Sequence, residues 1–172
     1  MNKASISAVF ASLVGLAALM PSAAMAGPGH KDTNGAHGSQ SHEKKAWGKP
    51  GKAARASRTI TITMSDDMRF TPSEIVVDEG QTVRFVLINK GRLMHEMVIG
   101  DMAELKAHAE LMKKHPDMEH EEEDGLHLKP GARGELTWQF AKPGRFHFAC
   151  LIPGHFDAGM VGRITVRKKG GA

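Results

Sequence analysis

Apolar and polar residues alternate with a period of two through most of the stretch 58–168, the pattern of strands that bury one face. Over 58–64, Ile60, Ile62 and Met64 alternate with Thr59, Thr61 and Thr63. A second strand is predicted over 70–77, with Pro72 at its entry or edge. After the turn Asp78-Glu79-Gly80, a third runs over 81–89 with Val83, Phe85 and Leu87 facing one way. The segment 93–99 puts Leu93, His95, Met97 and Ile99 on one face, which is inward if the outer face carries Glu96. Strands resume at 133–140, with Leu136, Trp138 and Phe140 inward, then at 144–150 and 162–167. Along 144–150, Phe146, Phe148 and Cys150 share a face while His147 and Ala149 lie on the other, so His147 reads as a surface residue.

The period changes once. From Asp101 to Lys114, Met102, Leu105, Ala109 and Met112 recur at helical spacing, and Asp101 with Glu104 three residues on forms an N-cap arrangement. His115-Pro116 ends this helix, and the acidic run 119–124 reads as a solvated loop. About seven or eight short strands with Gly and Pro turns, plus one helix in a crossover, predict an all-β chain. The expected architecture is an antiparallel Greek-key β-sandwich over 58–169, with a helical insertion at about 101–125.

Residues before this domain follow other rules. Lys3, the apolar run 4–20, Pro21 and the small-residue end Ala24-Met25-Ala26 read as a signal peptide, 1–26, so the mature protein is expected to be exported, with a periplasmic location. An uncleaved anchor is the competing reading; no other segment is apolar enough to span a bilayer. Gly, Lys, Ser and Ala dominate 27–57, which is read as a disordered arm because it has too little apolar surface to bury. His30, His37 and His42 in that arm could capture metal weakly or be incidental to a soluble tail. The formal charge of +4 becomes +3 once Lys3 leaves, and the basic residues are spread rather than interleaved with aromatics, so no nucleic-acid partner is expected.

The chain has one cysteine, which excludes an internal disulfide and leaves an intermolecular bridge, a buried inert thiol or a metal ligand. Spacing favours the ligand. Cys150 is followed five residues later by His155 and five after that by Met160, bringing a thiolate, an imidazole and a thioether into one loop. A His₂Cys set with a weak axial Met suits copper that moves between Cu(I) and Cu(II), because neither state gets its fully preferred geometry. The second histidine must come from an earlier segment beside the cysteine strand, and His95 is the best candidate.

A histidine at the head of one strand paired with a distant C-x₄-H-x₄-M loop resembles the cupredoxins, the type 1 copper proteins. Within that family, MRFTPSEIVV, MHEMVIG and FACLIPGHFDAGM are most similar to the small periplasmic cupredoxins tied to bacterial copper tolerance. The resemblance implies one type 1 copper held by His95, Cys150, His155 and Met160. It further implies that Met160 is a long axial ligand and that the ring edge of His155 lies near the surface and passes the electron. Glu96 departs from the family pattern, since many cupredoxins carry Asn after the first histidine and use it to clasp the two ligand loops.

Two functions of different classes follow. One is copper tolerance or homeostasis through a one-electron redox site, with copper and a periplasmic redox or copper-handling protein as partners. The alternative is a soluble electron carrier between redox partners. An enzyme is not expected, because copper oxidases and nitrite reductases use further copper ligands in added domains. Met64, Met68, Met94, Met97 and Met102 could make a second soft pocket, although Met is also ordinary core filler. His108, Met112 and His115 stand on one helical face that could hold a further copper or be an incidental polar face.

Overall fold

The computed structural model describes residues 45–116 and 123–170. The expected signal peptide, the arm through residue 44 and most of the acidic run lie outside the described residues. Among the described residues, ten strands form two five-stranded sheets. The first sheet has the order β1 (Gly48–Pro50), β8 (Arg133–Phe140), β5 (Thr82–Asn89), β2 (Arg58–Ser65), β3 (Arg69–Thr71). The second has the order β4 (Glu74–Asp78), β10 (Val161–Arg167), β9 (Gly144–Ala149), β6 (His95–Gly100), β7 (Gly125–Leu128).

Alternation decides which side chains meet between the sheets. Ile60, Ile62 and Met64 of β2 are buried, as are Phe85 and Leu87 of β5 and Leu136, Trp138 and Phe140 of β8. They meet Met97 and Ile99 of β6, Phe146 and Phe148 of β9, and Ile164 and Val166 of β10 in one core. The edge-to-face pair Phe70–Phe148, with ring centroids 5.0 Å apart, ties the two sheets together.

The sandwich is mixed rather than wholly antiparallel. β2 pairs with β5, and β4 with β10, in parallel, while the remaining ladders are antiparallel. The single strand expected over 70–77 is two short ones in different sheets. Pro72 has no amide proton to give a ladder, so the chain turns a corner there and changes sheet.

The helix, α1 (Met102–Lys114), is capped as its sequence predicts: the Asp101 side chain accepts from the amides of Ala103 and Glu104, and Glu104 answers to the Asp101 amide. Leu105, Ala109 and Met112 pack against Val98, Ala149 and Leu151 on the outer face of the second sheet. That packing corrects two expectations. β6 is buried on both faces, so Glu96 is not on a solvated face, and Met112 is core rather than part of an open metal-binding face. Leu93 precedes the strand and is exposed, so it is not an inward residue.

The reading of 27–57 as a structureless arm is corrected over its last part. Gly48–Pro50 pairs with β8, and Trp47 is buried between Trp138 and Phe146, with centroids at 5.1 and 4.8 Å. One large aromatic supplies the apolar area that the composition lacks. Gly48 permits the close approach, since a Cβ there would stand 2.1 Å from Trp138 Nε1. Replacing Trp47 with Ala should therefore lower the unfolding free energy of the protein by about 3 kcal/mol, whereas the exposed Lys49→Ala should change it by under about 0.5 kcal/mol. Denaturant titration checks this, and equal midpoints for the two variants would contradict the strap.

Candidate metal centre

Antiparallel pairing of β6 with β9, with Val98 opposite Ala149, sets the start of β6 beside the end of β9. His95 opens β6 and Cys150 follows β9, and both are fully buried. His155 stands in the turn that follows and is partly exposed. One ligand atom from each of the three lies within 4.8 Å of the others, the one such cluster among the described residues. Cys150 Sγ is 3.3 Å from His155 Nδ1. Met160, fully buried, closes the loop: its carbonyl accepts from the Cys150 amide at 3.1 Å and its amide donates to the His155 carbonyl at 3.0 Å.

Burial prepares the imidazole of His155 for a soft metal and holds the sulfur of Cys150 in reserve. Burial lowers the His155 pKa below that of an ordinary imidazole, with a further contribution from His95, which favours the neutral ring and its lone pair. His95 Nε2 meets Asp66 Oδ1 at 3.1 Å, while its buried Nδ1 has no hydrogen-bond partner. A buried polar atom without a partner asks for a ligand, and an imidazole whose Nε2–H is held by a carboxylate presents its Nδ1 lone pair for one. Burial pushes the Cys150 thiol up to about 12, so the sulfur keeps its proton until a metal displaces it. Two imidazoles and a thiol in this reach fit copper.

The sequence missed the residues that hold these candidate donors in place. Asp66, in the turn after β2, accepts from the amides of Arg92 at 2.8 Å and Leu93 at 3.2 Å as well as facing His95. The Arg92 amide, then the Leu93 amide and His95, hold its carboxyl below the usual range against the opposing effect of desolvation. Gly91 is required beside it, because a Cβ there would meet Asp66 Oδ1 at 2.0 Å. Asn89 is buried at the end of β5 and spans the loop, donating to the carbonyls of Leu93 and Leu128 and accepting from the Gly91 amide. Glu96 supplies the clasp that its mismatch with the family pattern put in question. Its amide reaches Cys150 Sγ at 3.5 Å and its carboxylate accepts from the Leu151 amide at 2.5 Å.

Other candidates are not brought to this site. His147 lies on the sheet face opposite Cys150, among Met102, Glu74 and Arg163. Met64 and Met97 are core filler, Met68 packs partly buried on that core, and Met94 is exposed. His30, His37 and His42 lie outside the described residues.

Fold and donor set together define a copper-binding cupredoxin. The chain belongs to the family described as copper binding proteins, plastocyanin/azurin family, which matches residues 57–167. It is similar to the copper-resistant cuproprotein CopI of Rubrivivax gelatinosus, 49% identical over 157 residues that cover 91% of this chain and 95% of that one. It is also similar to the protein so named in Pseudomonas aeruginosa, 38% identical with the same coverages. Among solved structures, an auracyanin from Roseiflexus castenholzii has a TM-score of 0.57 at 24% identity, covering 65% of this chain and 98% of that one. Auracyanin B has a TM-score of 0.59 at 19% identity, covering 70% and 98%. These last two show the fold.

Asp66→Ala should weaken copper binding by roughly 10- to 100-fold, the usual cost of removing a residue that orients a ligand imidazole. The neighbouring Asp67→Ala, which removes only an exposed contact to Ser65, should leave it unchanged. Competition with a chelator of known affinity measures both.

Proposed function

We propose that the mature protein is an exported, periplasmic type 1 copper protein that serves copper tolerance, in which His95 Nδ1, Cys150 Sγ and His155 Nδ1 would hold the copper and Met160 would be its weakly bound fourth ligand. The observation that carries the site is the convergence of three donors within 4.8 Å around a buried His95 Nδ1 that no protein group satisfies. Copper bound there would take up or give away one electron between Cu(I) and Cu(II). The chain's own part is to hold the donors. Asp66 orients His95, Met160 and Ile152 fix the backbone on either side of His155, and burial keeps Cys150 dry.

Tolerance, rather than electron carriage alone, is supported by how far each likeness extends. The auracyanins are covered almost whole by 65–70% of this chain, so a domain of that fold fits in about two thirds of it. The alignments with the copper-resistant proteins cover 91%, so they run beyond the family match at 57–167 and reach into the histidine-bearing segment. A carrier needs only the ligand set and a docking surface. A protein that intercepts metal gains from added imidazoles, which copper accepts readily.

Cys150→Ser should abolish the intense thiolate-to-copper absorption of the copper-loaded protein while His147→Ala leaves it intact; the opposite pair of results would overturn the ligand set. Met160→Leu should retain copper with a shifted spectrum and potential, because an axial thioether tunes rather than holds the metal. Complete loss of copper from that variant would reject the axial role. Deleting the gene should increase sensitivity to added copper without impairing growth in low copper. Normal copper tolerance combined with a lost electron-transfer activity would replace tolerance by the carrier reading.

A further inference from the structure

Glu96 is an unusual residue to find where it is. It follows a ligand directly, its side chain is 3% exposed, and its carboxylate is among the few charged groups in the interior. Both oxygens are engaged. Oε1 accepts from the Leu151 amide, next to Cys150, and Oε2 pairs with Nε2 of His127, the residue directly opposite on β7. The His127 side chain is 41% exposed and so forms the outer end of the chain Leu151–Glu96–His127. A neutral amide at position 96 could make the Leu151 contact equally well, so that contact alone does not account for a charge. Burying a carboxylate costs several kcal/mol unless it is paired and hydrogen-bonded, and β7 provides the pair.

Electrostatics give the charge a consequence. In a site shielded from water, a fixed negative group stabilises the more positive state of a neighbouring metal ion. The partner imidazole lies farther out and is screened by solvent on its exposed side. We propose that Glu96, held by His127, is a positioning residue that clamps the Cys150 loop to β6 and biases the bound copper toward Cu(II). This rests on the copper reading above and adds to it a direction, a site held at lower potential than a neutral clasp would give.

The test separates clamp from charge. Glu96→Gln keeps the shape and the acceptor for Leu151 but removes the charge; in the copper-loaded mature protein it should retain the thiolate absorption and raise the reduction potential. Glu96→Ala removes both, and should release copper to a Cu(I) chelator at least about tenfold faster than wild type. His127→Ala removes the pair that keeps the buried carboxylate charged while sparing its Leu151 contact, so it should raise the potential by no more than Glu96→Gln does. An unchanged potential in Glu96→Gln overturns the charge role, and wild-type release from Glu96→Ala overturns the clamp. Should Glu96→Ala not fold, the isosteric Gln variant still decides the charge. In the metal-free protein, exchange protection of the Leu151 amide should fall about tenfold in Glu96→Ala but hold in Glu96→Gln. That readout stands apart from failure of the copper site, which would appear as absent thiolate absorption in wild type.

Discussion

β6 is buried on both faces, and much of the site's construction follows from that constraint. A sandwich strand ordinarily turns alternate side chains to water. Here Met97 and Ile99 enter the inter-sheet core while Val98 lies beneath α1 with Leu105, Ala109 and Met112. Polar groups on such a strand have no water to turn to, so each must find a protein partner or a ligand. His95 meets Asp66, Glu96 meets Leu151 and His127, and one imidazole nitrogen is left over. The helix is therefore more than an appendage in a crossover. By covering the outer face it dries the strand that carries His95.

The two carboxylates near the site are managed in opposite ways. Asp66 sits in a turn with its side chain 31% exposed, and three donors converge on it, so its charge is cheap to keep. Glu96 has almost no solvent and relies on a cross-strand partner. Both grip backbone amides beside the candidate donors, Arg92 and Leu93 before His95 in one case and Leu151 after Cys150 in the other. Loop geometry is thus set by charge-assisted hydrogen bonds, which are stronger and more directional than apolar packing.

What could be read from the chain was local. The spacing that puts Cys150 and His155 in one loop, the alternation that sends Cys150 inward and the Asp101/Glu104 cap each depend on residues close in sequence; the structure buries Cys150, forms the cap and brings Cys150 and His155 within reach of His95. What could not be read depends on contacts across the fold. Asp66 looks like any turn aspartate until the loop before His95 is folded over it, 26 to 29 residues away in the chain. Glu96 reads as outward because period two says so, and its burial emerges only from contacts with Leu151 and with His127 across the strand pair. Averaged composition hid the strap, because Trp47 stands alone in a stretch of Gly, Lys and Ala. Strand direction is equally invisible to periodicity, which is the same for parallel and antiparallel neighbours.

The loop from Cys150 to Met160 carries its own scaffold. Cys150 and Met160 are joined through the Cys150 amide, Met160 through its amide to His155, and His155 through its amide to Ile152, so four residues of the loop are fixed by three backbone hydrogen bonds. The sulfur at its base is approached by the Glu96 amide, which favours a thiolate, yet burial outweighs that and holds the thiol at about 12. Shape and protonation are consequently set by different forces. The backbone organises the donors for a metal, while the dry interior keeps the sulfur protonated until one arrives, so occupation must release a proton and binding is linked to pH. A loop already fixed in this way has little conformational entropy left to lose when a metal binds, because its frame is shaped by hydrogen bonds rather than by the metal.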